Sequence, residues 1–444
     1  MAVTEARGAT AQGVHAALVE RHRAVLPSWL SLYYDEPIEL VQGSGRRVVD
    51  GEGREYLDFF GGILTTMVGH AVPEVVAAVQ EQAGRILHSS TLYLIRPMIE
   101  LAERIAALSG IEGAKVFFVS SGTEANEAAL LLTAVARRSN QVLALRNSYH
   151  GRSFAATAVT GNRSWSASGF SPLSVSYLHN GDRRHGALAG MDDSAFLAAC
   201  AADVEEVLAT TTAGEVACLI AEPIQGVGGF VIPPAGFLST VVGAVRAHGI
   251  PFISDEVQTG WGRTGSHFWG WQADGVVPDL MTFAKGLGNG LAIGGVAGRA
   301  ELMDAVSVNS ISTFGGNPLS TAGALATLNY LLDHHLQANA ETVGARLLAR
   351  LRPLEAELDI VAEVRGRGLM IAVELVDPAT GRPSPVLAGA ALEAARRNGL
   401  LIGKGGLYGN VLRIAPPLSL TGAEADEGAD ALIAALRRCG GKEN

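Results

Sequence analysis

The chain has 444 residues, 48 % of them hydrophobic and only 18 % charged, which supplies a large buried core and excludes a disordered or tail-like protein. Its net charge of −10, from 34 Lys and Arg against 44 Asp and Glu, argues against nucleic acid or an anionic membrane as a partner. Cys200, Cys218 and Cys439 are far apart and form no C-x-x-C pair, so neither a disulfide framework nor a zinc knuckle is indicated.

In chain order, the N-terminal MAVTEARGATAQG lacks the apolar core of a secretory signal. No stretch approaches the roughly 20 uninterrupted apolar residues of a membrane span. A cytoplasmic protein with reduced thiols is therefore expected. Residues 35–60 hold Ile38–Val41, Arg47–Val49 and Glu55–Phe59 between Gly-rich turns, the pattern of a small antiparallel meander. From residue 115 onward short apolar runs alternate with helical stretches. Lys115–Ser120, Gln141–Arg146, Val216–Ala221, Pro251–Ser254 and Asp279–Phe283 read as strands, and Gly122–Arg137 and Phe237–His248 as helices. That alternation predicts an α/β fold with a mainly parallel sheet covered on both faces. Beyond residue 320 come helices at Thr321–Leu332 and Glu341–Leu358, then strands near Ile360–Arg365 and Met370–Leu375.

Function in such a sheet gathers at the carboxyl ends of its strands, and four strand ends here carry polar residues that are costly to bury idly. The first runs into Ser121-Gly122-Thr123-Glu124, an S-x-x-E capping box opening a helix whose free N–H groups suit a phosphate, although an ordinary capped helix reads the same way. The second ends on Glu222, which needs a partner and taken alone reads as a structural ion pair. The third ends on Asp255, able to hold a metal or a protonated pyridine nitrogen. Its neighbour Glu256 points to the other face, so a hydrolytic carboxylate pair is disfavoured. The fourth ends on Lys285, either a lysine snorkelling to the surface or a desolvated nucleophile for carbonyl groups. Tyr149 follows another strand and offers a ring for stacking. Phosphate seat, pyridine-nitrogen partner, stacking ring and Schiff-base lysine are together what pyridoxal phosphate (PLP) requires.

Other signals are weaker. Gly286-Leu-Gly-Asn-Gly290 resembles part of a dinucleotide fingerprint but is followed by another apolar run instead of a helix. Asp333-His334-His335 reads as a solvated helix end, and no metal site is expected.

Six motifs in order carry a resemblance: Ser121-Gly-Thr-Glu-Ala-Asn, Tyr149-His-Gly-Arg, Glu222-Pro-Ile-Gln-Gly, Asp255-Glu-Val-Gln-Thr-Gly-Trp-Gly-Arg-Thr-Gly265, Ala284-Lys-Gly and Thr313-Phe-Gly-Gly-Asn-Pro. The chain resembles the class III aminotransferases, PLP enzymes of fold type I, from about Tyr33 to Leu436. That resemblance implies a large PLP-binding domain over residues 71–325, flanked by a smaller α+β domain built from residues 1–70 and 326–444. It makes Lys285 the lysine that bonds PLP and then shuttles the substrate proton, and Asp255 the partner of the pyridine nitrogen. Tyr149 and Val257 take the two ring faces, Gln258 lies near the ring hydroxyl, and Ser121, Gly122 and Thr123 hold the phosphate. His150 and Glu222 support the cofactor, and Thr313 reaches the phosphate of a partner subunit, which implies a homodimer with shared active sites or a higher homo-oligomer. Arg413, in Leu412-Arg-Ile-Ala-Pro-Pro417, matches the arginine that binds the substrate carboxylate.

Within the class, Tyr33-Tyr34, Asp58-Phe-Phe-Gly-Gly-Ile63, Lys404-Gly-Gly-Leu-Tyr-Gly-Asn-Val411 and Gly226-Val-Gly-Gly229 are most similar to the mitochondrial-type alanine–glyoxylate aminotransferases. Relatives acting on 4-aminobutyrate and ornithine usually place a Glu where Val227 stands. Arg152 points the other way, toward a distal carboxylate, or is a solvent-facing arginine after a turn. The donors implied are alanine, β-alanine, 3-aminoisobutyrate and 4-aminobutyrate, and the acceptors glyoxylate, pyruvate and 2-oxoglutarate. A racemase, decarboxylating aminotransferase or aminomutase of the same fold stands as the alternative.

Overall fold

In the computed structural model, which describes residues 11–441 except 168, an N-terminal meander comes first. Strands β1 (Leu40–Ser44), β2 (Arg47–Asp50) and β3 (Glu55–Asp58) pair antiparallel, and the first begins two residues later than the apolar pattern suggests. Seven strands then build the central sheet: β4 (Lys115–Val119), β5 (Gln141–Leu145), β6 (Ser174–Leu178), β7 (Cys218–Ala221), β8 (Phe252–Asp255), β9 (Leu280–Phe283) and β10 (Gly294–Gly298). Their spatial order is β4-β10-β9-β8-β7-β5-β6. All run parallel except β10, which lies antiparallel between β9 and β4. Every residue of β7, β8 and β9 is buried, as expected of central strands with helices on both faces.

The reversed strand β10 is where apolar patterning misleads. The apolar run Leu291–Ile293 precedes the strand, and the strand itself is Gly294-Gly-Val-Ala-Gly298. Glycine is a poor strand former, and here a side chain would not fit. A Cβ on Gly294 would lie 2.6 Å from the carbonyl oxygen of Ser121, and one on Gly295 would lie 2.6 Å from the Phe283 ring. The bare backbone lets the end of β4 approach the end of β9, which brings the helix N-terminus after β4 close to Lys285.

The C-terminal part supplies β11 (Val361–Arg367), β12 (Met370–Leu375), β13 (Leu400–Leu401), β14 (Gly403–Gly405) and β15 (Val411–Ile414). Strands β11-β12-β15-β14 form one antiparallel sheet, whereas β13 joins the N-terminal meander, parallel to β3. The helix expected over Glu341–Leu358 is two, Leu336–Leu351 and Leu354–Glu357, because Pro353 has no N–H to continue the ladder. Helix Pro318–Asp333 runs unbroken through residue 325, so a domain boundary there would cut it; the chain first turns at His334 and His335, both exposed. No helix among the described residues is long and apolar enough to cross a membrane. Cys200, Cys218 and Cys439 are unpaired.

Candidate active site

Asp255 ends β8 with its side chain buried, and each of its oxygens is held. Oδ2 accepts from Asn126 Nδ2 at 2.8 Å and lies 2.7 Å from His150 Nδ1, while Oδ1 accepts from the Val257 N–H at 3.1 Å. Asn126 is itself fixed. Its Nδ2 also donates to the His150 carbonyl at 2.8 Å, and its Oδ1 accepts from Thr282 Oγ1 at 2.6 Å. The carboxylate therefore cannot rotate without breaking a network that spans β8, β9 and the helix Gly122–Arg137. The neighbouring Glu256 is turned away and saturated by Ser254, Thr259 and the N–H groups of Gly270 and Trp271. It is a structural group of the opposite face, as the strand period predicts.

Around Asp255 a cavity of about 120 Å³ is lined by Ser121, Gly122, Thr123, Asn126, Tyr149, His150, Gly151, Glu222, Val257, Gln258 and Lys285. Ser121 caps the helix, its Oγ accepting from the Glu124 N–H at 3.2 Å. The reciprocal bond of a capping box is absent, because Glu124 accepts from Ser120 instead. The first-turn N–H groups of Gly122 and Thr123 have no intrahelical acceptor and face a site fit for an anion. A Cβ on Gly122 would meet the Val257 methyls at 3.2 Å, so glycine lets Val257 and the helix start close on one space.

Lys285 follows β9 with φ of 42°, a left-handed conformation that costs an L-residue on the order of 1–2 kcal/mol. Burial lowers its pKa, as does Arg413, while Asp255 and Glu222 oppose them, so its amine is more readily neutral than a surface lysine's. Glu222 is buried without the salt bridge that the sequence invites. Its oxygens accept from the N–H groups of Tyr149 at 3.0 Å and Gly226 at 2.8 Å. Burial pushes its pKa up to about 7, with His150 pulling down and Asp255 adding to the rise. Tyr149 stands edge-on to Trp165, ring centroids 5.7 Å apart.

Arg413, on β15, is 3 % exposed, and its guanidinium lies 4.5 Å above the Phe230 ring and 6.0 Å from that of Phe60. Its Nη2 donates to Gln258 Oε1 at 2.7 Å, and its Nε is buried with no partner. No carboxylate among the described residues lies within ion-pair distance of it. Burial lowers its pKa to about 10, partly offset by Tyr33 and Glu222. Val227 is adjacent: a Cβ on Gly405 would lie 2.7 Å from Arg413 Cδ and 3.0 Å from the Val227 carbonyl.

The structure thus gathers Ser121, Gly122, Thr123, Tyr149, His150, Glu222, Asp255, Val257, Gln258 and Lys285 around one cavity, with Arg413 joined through Gln258. Gln258, expected beside a ring hydroxyl, gives its Oε1 to Arg413. Arg152 and Thr313 are exposed and do not line the cavity. Sequence reasoning assigned no role to Asn126 or Phe230. Asn126 was findable, since it stands four residues after Gly122 and so shares its helix face. Phe230 carried no local signal.

PLP fits this arrangement on three grounds. An amine with a lowered pKa, an anchored carboxylate and the start of a helix with free N–H groups line the same cavity. The chain matches the family model described as aminotransferase class-III over residues 33–436. It is 39 % identical over 418 residues to alanine–glyoxylate aminotransferase 2 homolog 2, mitochondrial, of Arabidopsis thaliana, covering 92 % of this chain and 84 % of that one. To the human alanine–glyoxylate aminotransferase 2, mitochondrial, it is 36 % identical over 442 residues, covering 94 % and 86 %. An amine transaminase from an uncultivated Pseudomonas species, solved in its PLP-bound form, superposes with a TM-score of 0.87 at 32 % identity, covering 94 % of this chain and 98 % of that one. The chain belongs to the class III aminotransferases of PLP fold type I, and its activity is PLP-dependent transfer of amino groups.

Proposed function

We propose that this aminotransferase takes its amino group from alanine or a comparably small amino acid and delivers it to a small keto acid such as glyoxylate. The observation that carries the reading is Arg413, a buried guanidinium with no carboxylate of its own among the described residues; the backbone of Val227, where relatives acting on 4-aminobutyrate and ornithine usually carry a Glu, runs close by. An unpaired buried cation is costly to keep unless an anion comes to it. The forked guanidinium matches a carboxylate in geometry. Because Val227 cannot fold Arg413 away, the arginine stays available to the carboxylates of donor and acceptor alike.

PLP supplies the aldehyde that takes up nitrogen and the ring that delocalises the electrons left by proton loss. The other roles belong to the chain. Lys285 bonds the cofactor and moves the proton at the substrate carbon bearing nitrogen. Asp255, held by Asn126, His150 and the Val257 N–H, keeps the cation at the pyridine nitrogen. Tyr149 and Val257 flank the ring, with His150 and Glu222 fixing what surrounds it. Ser121, Gly122 and Thr123 hold the phosphate.

The active form is a homodimer, in which Thr313 serves the partner's phosphate site. In support, Thr313 is exposed beside Val308, Ile311 and Phe314, whose apolar side chains are 73, 47 and 64 % exposed. Mixing inactive Lys285→Ala chains with chains crippled at Thr313 should restore activity, and heterodimers that recover none would overturn the shared site.

A panel of donors against glyoxylate, pyruvate and 2-oxoglutarate, with both products measured, tests the substrate reading. Alanine with glyoxylate should outperform ornithine, and Val227→Glu should shift preference toward terminal-amine donors such as ornithine and 4-aminobutyrate. A wild-type preference for ornithine over every small amino acid would sink it.

A further inference from the structure

Arg413 is one of two arginines in a single cross-strand row. On the C-terminal sheet Arg365 of β11 pairs with Ala372 of β12, which pairs with Arg413 of β15, so the three share one face. The two guanidiniums are treated in opposite ways. Arg365 is neutralised: its Nη1 donates to Glu374 Oε2 at 2.6 Å and to Glu363, and Glu374 is also bonded by His185 at 2.7 Å. Arg413 has no carboxylate partner among the described residues.

The rest of the Arg365 fork grips the loop between them. Nη2 donates to the Gly229 carbonyl at 2.7 Å and Nε to the Phe230 carbonyl at 3.1 Å. Phe230 is fully buried with φ of 49°, a conformation that a bulky aromatic residue adopts only where its surroundings force it. Its side chain packs in a small apolar cluster with Ile224, Met370, Ala372 and Val411, and its ring lies 4.5 Å beneath the Arg413 guanidinium. Ala372, between the two arginines, is small enough to leave the ring its space.

We infer that Arg365 is a positioning residue for substrate-carboxylate binding: by clamping the carbonyls of Gly229 and Phe230 it holds the strained Phe230 ring under Arg413 and so fixes where the carboxylate-binding fork points. The inference rests on the reading of Arg413 as the carboxylate receptor, and the test separates the two.

Sodium propionate, an unreactive monocarboxylate, is titrated into the holoenzyme by calorimetry. Arg365→Lys keeps the charge opposite Glu374 but cannot fork onto two carbonyls. It should weaken propionate about tenfold, the scale of a desolvated cation–π contact. Phe230→Leu should do the same, and the double variant should be no weaker than either single one, because the two substitutions break one chain of contacts. With a keto acid, KM should rise while kcat holds, and the single-turnover half-reaction with an amine donor that carries no carboxylate should not change. A residue needed only for folding would lower all of these together. If Arg365→Lys does not fold, Glu374→Gln, which loosens the same guanidinium from its other side, should shift the propionate Kd in the same direction. Wild-type propionate affinity in Arg365→Lys (or in Glu374→Gln where it stands in), or effects of Arg365→Lys and Phe230→Leu that simply add, overturns the inference. Arg413→Met distinguishes the failures. If it loses propionate while Arg365→Lys keeps it, only the positioning role falls, and if it binds propionate normally the receptor role falls as well.

Discussion

Replacing Arg413 by methionine exchanges a buried cation for an unbranched apolar chain of similar reach. Burial lowers the arginine's pKa well below its ordinary value, to about 10. At neutral pH the group is charged in both the folded and the unfolded chain. The lowered folded value therefore means that holding the charge inside costs on the order of 3 kcal/mol, at 1.36 kcal/mol per pKa unit. Methionine removes that cost. Against it stand the Gln258 oxygen left without its donor, worth about 1–3 kcal/mol, and the contact with Phe230, which a thioether partly replaces. The terms nearly cancel, so the variant should unfold at the same temperature as wild type or slightly above it. Catalysis should behave otherwise. A charged hydrogen bond to the substrate contributes roughly 1.5–3 kcal/mol, and its loss should lower kcat/KM for alanine and for glyoxylate by about 10- to 150-fold. Thermal unfolding of the holoenzyme and steady-state kinetics on one preparation measure both quantities. Wild-type kcat/KM would refute the receptor role, and a Tm many degrees lower would show that Arg413 is a structural cation.

Other outcomes follow from the same geometry. Lys285→Ala should abolish turnover and leave no cofactor attached after borohydride reduction, whereas peptide mapping of reduced wild-type protein should find the label on Lys285; a label on another lysine would refute the assignment. Asp255→Asn should preserve the fold, since the side chain keeps its shape, but lower kcat by about 10²-fold or more, because the charge opposite the ring nitrogen is gone; near-wild-type turnover with cofactor bound would exclude that role. Glu374 is pushed up by burial but brought down to about 2 by His185 and Arg365, so its contribution to stability is present above its unfolded value of 4.5 and lost as pH falls toward 2. Glu374→Gln should therefore flatten the acid limb of the stability–pH curve by on the order of 3 kcal/mol, and denaturant titrations that show an unchanged limb would contradict it.

The strand ends were legible because an apolar run that stops on a charged residue is rare and physically expensive. Lys285, Asp255 and Glu222 announce themselves in this way, and the helix from Gly122 begins and ends where its cap and periodicity place it. The partner of Glu222 was not legible, since backbone N–H groups are the same for every residue and only the fold shows which ones converge. Strand β10 was hidden because its glycines were chosen by close backbone approach, which leaves no hydrophobic pattern. The link from Arg365 to Phe230 was hidden for another reason. It joins positions far apart in sequence through main-chain carbonyls, and the positive φ of Phe230 that it supports leaves no mark in the sequence.

The pairing of β3 with β13 sets an order of events. Leu57 waits for Leu400 before its edge is covered. On a ribosome adding residues one at a time, the meander emerges well before β13 and stays an open edge until Leu400 and Leu401 have been made. Contacts of such long sequence separation are slow to form and leave strands exposed meanwhile. The central sheet, whose strands all lie between Lys115 and Gly298, can assemble first. The piece carrying Arg413 then docks after that sheet, so a nascent chain acquires its cofactor-binding residues before the arginine that selects what the cofactor will act upon.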